Sequence, residues 1–223
     1  MNALFQWLWF FWFRRKYEWS PDGLEKQGDP TMYLETLIPA MIGELETARR
    51  FGQLDTVILG DSNGEAWDSF KVMRKFKKIT VNLAKGGTTV QDWERLLKSK
   101  DWPRVRNLIG GSKVIINIGG NCALKKQMTG VRKGYEAIKS AFPKAYLIKV
   151  PPTWAEVADP EIKKRMITVN RFADEVFGKR ALDPSALVDM NADGLPDIGA
   201  LQDAVHYSKA TLKLMRPIIE ALP

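Results

Sequence analysis

Three side chains in this sequence could together transfer an acyl group. Ser62 stands in the stretch 56-TVILGDSNGEAW-67, at the end of an apolar run and before small turn-forming residues. A serine hydroxyl is a weak nucleophile until a neighbouring base takes its proton. The chain has one histidine, His206, so that is the single imidazole available. Asp203 precedes it by three residues, in 203-DAVH-206. In a tight turn or a first helical turn, that spacing lets the carboxylate reach the ring. An aspartate accepting from Nδ1–H holds the tautomer that leaves Nε2 free to take the serine proton. Charge developing on a carbonyl oxygen also needs donors. The Ser62 backbone N–H is one candidate. Gly87 in 86-GGTT-89 is another, because glycine lets the backbone approach closely. The side-chain amide of Asn121, in 119-GGN-121, is a third. Taken singly, each has a plainer reading: a lone histidine is more often a surface or satisfied core residue, and each glycine pair a strand-to-helix turn.

These residues are far apart in the chain, so the fold must collect them. Short apolar runs at 55–60, 79–83, 113–119, 145–150 and 186–190 read as strands buried on both faces. Helix-period segments lie between them, at about 64–77, 90–99, 124–141 and 160–178. An amphipathic helix over 31–51, containing Pro39, precedes the first strand, and a helix over about 208–221 closes the chain. This alternation predicts an α/β fold, a parallel sheet with helices on both faces. Sites in such sheets form at the carboxyl ends of the strands. Ser62, 86-GGTT-89 and 119-GGN-121 follow the first three strands, and 203-DAVH-206 follows the last, so all are expected on one edge.

The composition is that of a globular chain, 45% hydrophobic and 27% charged over 223 residues. One cysteine, Cys122, excludes an internal disulfide and a cysteine-based zinc site. Beside Asn121, at a strand end, it reads as a small core residue rather than a thiol nucleophile. The net charge of +8 favours anionic partners, but the basic residues are scattered and no nucleic-acid-binding motif is present, so nucleic acid is not an expected partner. Residues 3-ALFQWLWFFWF-13 are almost wholly apolar, and Arg14-Arg15-Lys16 follows at once. The run is shorter than the ~20 residues a membrane-spanning helix needs. Aromatic residues beside a basic cluster suit the interface of an anionic membrane. Residues 1–19 are therefore read as a membrane-associating segment, 20–30 as a turn-rich linker, and 31–223 as the domain proper. If the segment spanned instead, the basic cluster on its domain side would favour the cytoplasmic face. The alternative reading of 1–19 is packing on its own domain or on a partner.

In block order, the chain resembles the SGNH hydrolases, also called the GDSL esterase/lipase family. The resemblance runs from about Asp55 to Leu222. It rests on 57-VILGDSN-63, on 81-VNLAKGGTT-89, on 114-VIINIGGN-121 and on 203-DAVH-206, with 142-FPKAYLIKVPP-152 similar to the fourth strand and its loop. It implies a three-layer α/β/α sandwich with a flavodoxin-like, five-stranded parallel sheet, acting without metal or organic cofactor. Ser62 would be the nucleophile, His206 the general base and Asp203 its orienting carboxylate. The Ser62 and Gly87 N–H groups and the Asn121 amide would hold the oxyanion. The implied reaction is hydrolysis of a lipid acyl ester or an O-acetyl group, with an inert binding module on the same fold as the alternative. Gly60, Ser62 and Gly64 also spell the G-x-S-x-G elbow of α/β-hydrolases, but the serine ends the first strand and nothing like an HGGG loop precedes it. Asn63, Gly64, Glu65, Ala66 and Ala210 depart from common family residues, and the first three are expected to alter the pocket wall. The segment 189-DMNADGLPD-197 resembles the start of a calcium loop, but Ala200 stands where a bidentate Glu belongs, so it reads as an Asx-rich turn.

Overall fold

The structure, a computed structural model, describes residues 31–223, with side chains from Leu37 onward. The aromatic segment 1–19 and the linker 20–30 lie outside the described residues. Helix α1 (Thr31–Phe51) continues through Pro39 and buries Ile38, Met41 and Leu45, one stripe of an amphipathic helix. Strand β1 (Thr56–Gly60) follows, buried along its whole length. Then come α2 (Ser62–Ser69), β2 (Thr80–Asn82), α3 (Val90–Leu97), α4 (Trp102–Ile109) and β3 (Lys113–Asn117). They are succeeded by α5 (Gly120–Leu124), α6 (Val131–Ala141), β4 (Tyr146–Ile148), α7 (Trp154–Ala158), α8 (Pro160–Phe177) and β5 (Ala181–Leu182). Short α9 (Ser185–Val188) and α10 (Lys209–Ala221) complete the chain.

The five strands pair in parallel in the order β2-β1-β3-β4-β5. That is the flavodoxin-like order. Parallel neighbours need crossovers, and right-handed crossovers in this order send α2 to one face and the β2–β3, β3–β4 and β4–β5 connections to the other. Helices α1 and α4 pack together, as do α3 with α6 and α6 with α8, on the second face. Helices α9 and α10 touch one another, and α10 closes over β4 and β5 through Met215 and Ile219. The result is a three-layer sandwich with its core on both sides of β1 and β3.

Helix α1 runs antiparallel to β1. Near its end, the Arg49 Nε donates to the Leu108 carbonyl at 2.6 Å, just before β3 begins, and Arg104 pairs with Glu46. The first residues of α1 therefore lie toward the carboxyl edge of the sheet.

Three elements differ from the sequence expectation, the first being the helix expected over 64–77: α2 ends at Ser69 and a separate 3-10 turn at Met73–Lys75 follows. The run 186–190, expected as the fifth strand, is α9 and the turn after it, while the strand is the dipeptide Ala181–Leu182. Pro184 has no N–H to give a ladder. The Asp183 carboxylate instead accepts from the Ser185 N–H at 2.9 Å and starts a helical turn, which buries Val188. The expected helix 124–141 is two helices, because Gly130 sits in the left-handed region at φ 81° and begins α6 afresh. Helices α4 and α7 were not expected. Their signals are present, as Asp101 with Pro103 at the start of α4 and the Thr153/Glu156 capping box at the start of α7.

Candidate active site

The site lies where the crossovers leave the sheet in opposite directions, between β1 and β3. A crevice forms there because the chain after β1 turns to one face and the chain after β3 to the other. At the end of β1, Gly60 has φ 142°, and a Cβ there would sit 2.0 Å from the Asn117 carbonyl oxygen. Any side chain would push β1 away from β3, so glycine is required for the strands to stay paired. The buried Asp61 then caps α2, accepting from the Asn63 N–H at 3.0 Å. This starts α2 at Ser62 and aims its hydroxyl over the strand ends.

His206 comes from a bend before α10. The Asp203 Oδ1 accepts from both the Val205 and His206 backbone N–H groups at 2.8 Å, which folds 203–206 into a tight turn. Its Oδ2 lies 2.6 Å from His206 Nδ1, and His206 Nε2 lies 2.8 Å from Ser62 Oγ. Burial opposes ionisation of Asp203, but the His206 hydrogen bond and charge, with the two backbone donors, hold its carboxyl below the ordinary carboxylate range. An ionised carboxylate only accepts, so the ring proton sits on Nδ1 and Nε2 faces the serine. Burial likewise disfavours the imidazolium, yet Asp203, with the charges of Asp61 and Glu65, lifts the His206 pKa above its ordinary value. Burial pushes the Asp61 carboxyl up to about 6, against the lowering effect of the Asn63 and Gly119 N–H groups and of the His206 charge.

Asn63 ties the two loops together. Its amide donates to the Val205 carbonyl at 3.3 Å, and its Oδ1 accepts from the Tyr207 N–H at 2.9 Å. Of the three departures expected to reshape the pocket, Asn63 alone lines it. Gly64 is pressed against β2's loop, where a Cβ would fall 2.6 Å from the Ala84 Cβ. Glu65 reaches sideways to the Gly86 N–H at 3.0 Å.

The Ser62 hydroxyl opens into a cavity of about 260 Å³. Gly86, Gly87, Gly120 and Asn121 form its polar side, and Leu124, Val150, Met166 and Val205 its apolar side. The Asn121 amide donates to the Thr88 carbonyl at 3.0 Å, which uses one of its two hydrogens and leaves the other for the cavity. Neither the Ser62 nor the Gly87 backbone N–H has an acceptor among the described residues. The five residues singled out from sequence, Ser62, Gly87, Asn121, Asp203 and His206, thus share one cavity edge, with Asp203 behind the histidine. Sequence reasoning did not give roles to Asp61, Asn63, Glu65 or Lys125. All but Lys125 stand in or beside the serine motif, but their partners lie up to 144 residues away.

Two other motifs resolve plainly. Asp189 accepts from the Asp193 and Gly194 N–H groups at 3.1 and 2.7 Å, and Asp193 accepts from Leu195 at 2.9 Å, the bonds of an Asx-rich turn. Cys122 is buried, and burial pushes its thiol up to about 12, far from a reactive thiolate.

No protein-family model and no curated protein matches this chain. Solved structures do. One is a Streptococcus pneumonia protein named for platelet activating factor, 16% identical, with 98% of this chain and 100% of that one aligned at TM-score 0.61. A second is a lipase from a goat rumen metagenome, 14% identical over 76% of this chain and 97% of that one, TM-score 0.54. A third is an acetylxylan esterase from Geobacillus stearothermophilus, 15% identical over 76% and 94%, TM-score 0.52. The chain has the SGNH hydrolase fold. Within that fold, the serine after β1, the glycines after β2, the asparagine after β3 and the histidine before α10 meet at one edge, as the block order in the sequence anticipates. Among the described residues no helix is long and apolar enough to cross a membrane, and no cluster of three or more His, Cys, Asp or Glu is placed to hold a metal ion.

Proposed function

We propose that this protein is a serine esterase that hydrolyses a carboxylic ester through an acyl-enzyme on Ser62. The observation that carries the reading is the hydrogen-bonded chain Ser62–His206–Asp203 at the mouth of a cavity lined by donors without acceptors. In this reading His206 Nε2 takes the hydroxyl proton as Ser62 Oγ attacks the ester carbonyl. The tetrahedral oxyanion is held by the Ser62 and Gly87 N–H groups and by the Asn121 amide. The imidazolium, stabilised by Asp203, gives its proton to the leaving alkoxide. Water, deprotonated in turn by His206, then clears the acyl group.

The apolar side of the cavity supports an acyl chain longer than acetyl, and so a lipid acyl ester. Membrane association is part of the proposal. It is supported by the aromatic run 3–13 with Arg14-Arg15-Lys16, and by the direction of α1, whose first residues lie toward the same sheet edge as Ser62. The domain would sit on the cytoplasmic face with its cavity side toward the lipid. An O-acetylated carbohydrate is the competing substrate, and the alignment with an acetylxylan esterase fold keeps it in view.

The test is a fluorophosphonate probe together with p-nitrophenyl esters from acetate to decanoate. Wild type should label and turn over, and Ser62→Ala should do neither. If the two proteins behave alike, the hydrolase reading is lost and an inert binding module takes its place. A rate maximum beyond acetate supports the lipid reading, and a maximum at acetate supports the carbohydrate one. Removal of residues 1–19 should abolish sedimentation with anionic liposomes while leaving the soluble ester rate unchanged. Unaltered sedimentation would remove the membrane reading.

A further inference from the structure

The loop after β2 is held by its own groups and by side chains from three other elements. The Lys85 N–H donates to the Gly60 carbonyl at 2.9 Å. The Thr88 hydroxyl reaches the Gly60 and Lys85 carbonyls at 3.0 and 2.7 Å, and the Trp93 indole N–H lies 3.2 Å from both the Gly60 carbonyl and the Thr88 hydroxyl. Two charged side chains then grip the glycines. The Glu65 Oε2 accepts from the Gly86 N–H at 3.0 Å, while its Oε1 pairs with Lys85 at 3.1 Å. From the other side of the cavity, Lys125 Nζ donates to the Gly87 carbonyl at 2.8 Å.

These bonds fix the peptide before Gly86 and the peptide after Gly87. The peptide between them, whose donor is the Gly87 N–H, is held at both ends but has no hydrogen-bond partner among the described residues. Gly87 has φ 78°, a region only glycine occupies cheaply, so without outside contacts the loop has other conformations to choose from. A donor contributes to a transition state when it is aimed before the charge develops, so that no reorganisation is needed during reaction. We infer that Glu65 and Lys125 are positioning residues that clamp the Gly86–Gly87 loop and aim the Gly87 N–H at the developing oxyanion. The inference rests on the esterase reading above. Neither side chain touches the reacting atoms; Glu65 acts through Gly86 and Lys125 through Gly87.

The experiment compares Lys125→Met, Lys125→Arg, Glu65→Ala and Glu65→Gln with wild type. Rates on p-nitrophenyl butyrate are taken per active site titrated with fluorophosphonate, so that unfolded protein does not count. Lys125→Met and Glu65→Ala should lower kcat by about 10- to 100-fold, because one oxyanion donor is weakened rather than removed. KM should stay near wild type, since the ground-state carbonyl gains little from the aimed donor. Affinity for a trifluoromethyl ketone, which forms the tetrahedral adduct, should fall in parallel with kcat. Lys125→Arg keeps a donor and Glu65→Gln keeps an acceptor for the Gly86 N–H, so both should recover most of the rate. Loss of thermal stability with kcat per titrated site unchanged would mean a merely structural role and overturns the clamp. So would a rise in KM alone. A wild type that neither labels nor turns over removes the esterase reading and the clamp with it, whereas an active wild type matched by Lys125→Met and Glu65→Ala removes the clamp alone.

Discussion

Gly86-Gly87 and Gly119-Gly120 look alike in the sequence, each a glycine pair after a short apolar strand. In the structure they do different work. Gly119 is a packing glycine. At φ 132°, a Cβ on it would fall 2.4 Å from the Tyr135 hydroxyl and 2.8 Å from Val169, and its N–H faces the buried Asp61 carboxylate. It lets α6 and α8 close against the end of β3. Gly87 is a presenting glycine. It lines the cavity, its N–H has no acceptor among the described residues, and polar side chains grip the backbone on either side of it. The comparison teaches that a glycine's reason lies in its neighbours: in one pair the missing side chain makes room for the core, and in the other it frees a donor.

The sharpest way to break that comparison is Gly119→Ala. A side chain there meets the Tyr135 hydroxyl and Val169 in a conformation L residues rarely adopt. The cost should be several kcal/mol, on the scale of overpacking at about 1–3 kcal/mol plus backbone strain of similar size. Chemical denaturation should show a large loss of stability or no folded protein. A near-wild-type midpoint would show that the packing role is misassigned. Next in size is Asn121→Ala, which removes a side-chain donor from the cavity. Its kcat should fall about 10²- to 10³-fold, as for removal of one oxyanion donor, with KM little changed. Retention of wild-type kcat would take Asn121 out of the proposed chemistry.

The acid limb of the pH profile sharpens what lies under Gly119. In the proposed mechanism proton transfer from Ser62 needs neutral His206, so kcat/KM should be lost as pH falls through the His206 pKa, which sits above the ordinary 6.5. Asp61→Asn keeps a helix-capping oxygen but removes a negative charge that favours the His206 imidazolium. With less stabilisation of the imidazolium, the limb should move to lower pH. An unmoved or raised limb in Asp61→Asn would contradict the placement of that charge. The smallest effect belongs to Gly120→Ala. A Cβ there has 3.8 Å to Val150, an ordinary contact, and the residue begins α5. Stability should change by no more than about 0.5 kcal/mol, the scale of a substitution away from special features. A loss as large as that of Gly119→Ala would erase the distinction within the pair.

Much of this was legible in advance because it depends on local pattern. Strands β1 to β4 announce themselves as short apolar runs, and the site blocks follow them in chain order. The fifth strand was misplaced because 186–190 is as apolar as a strand, while Ala181–Leu182 carries too few residues to show any period. The family resemblance pointed to Gly87 as the donor, but nothing in 119-GGN-121 says that Gly119 is held by packing against Tyr135 and Val169.

The sequence by itself determined the candidate chemistry: one serine behind a strand, one histidine, an aspartate three residues before it, and the parallel α/β frame that must gather them. Only the tertiary structure decided which groups are satisfied and which are left open. The grip of Glu65 on Gly86, of Lys125 on Gly87 and of Asn63 on the His206 loop spans 21, 38 and 144 residues. Partners so distant are chosen by where the crossovers return the chain, and a hydrogen bond exists only within a few tenths of an ångström of its distance and near its angle. Residue types can specify that donors and acceptors are present, but the packed sheet and its helices decide which of them meet.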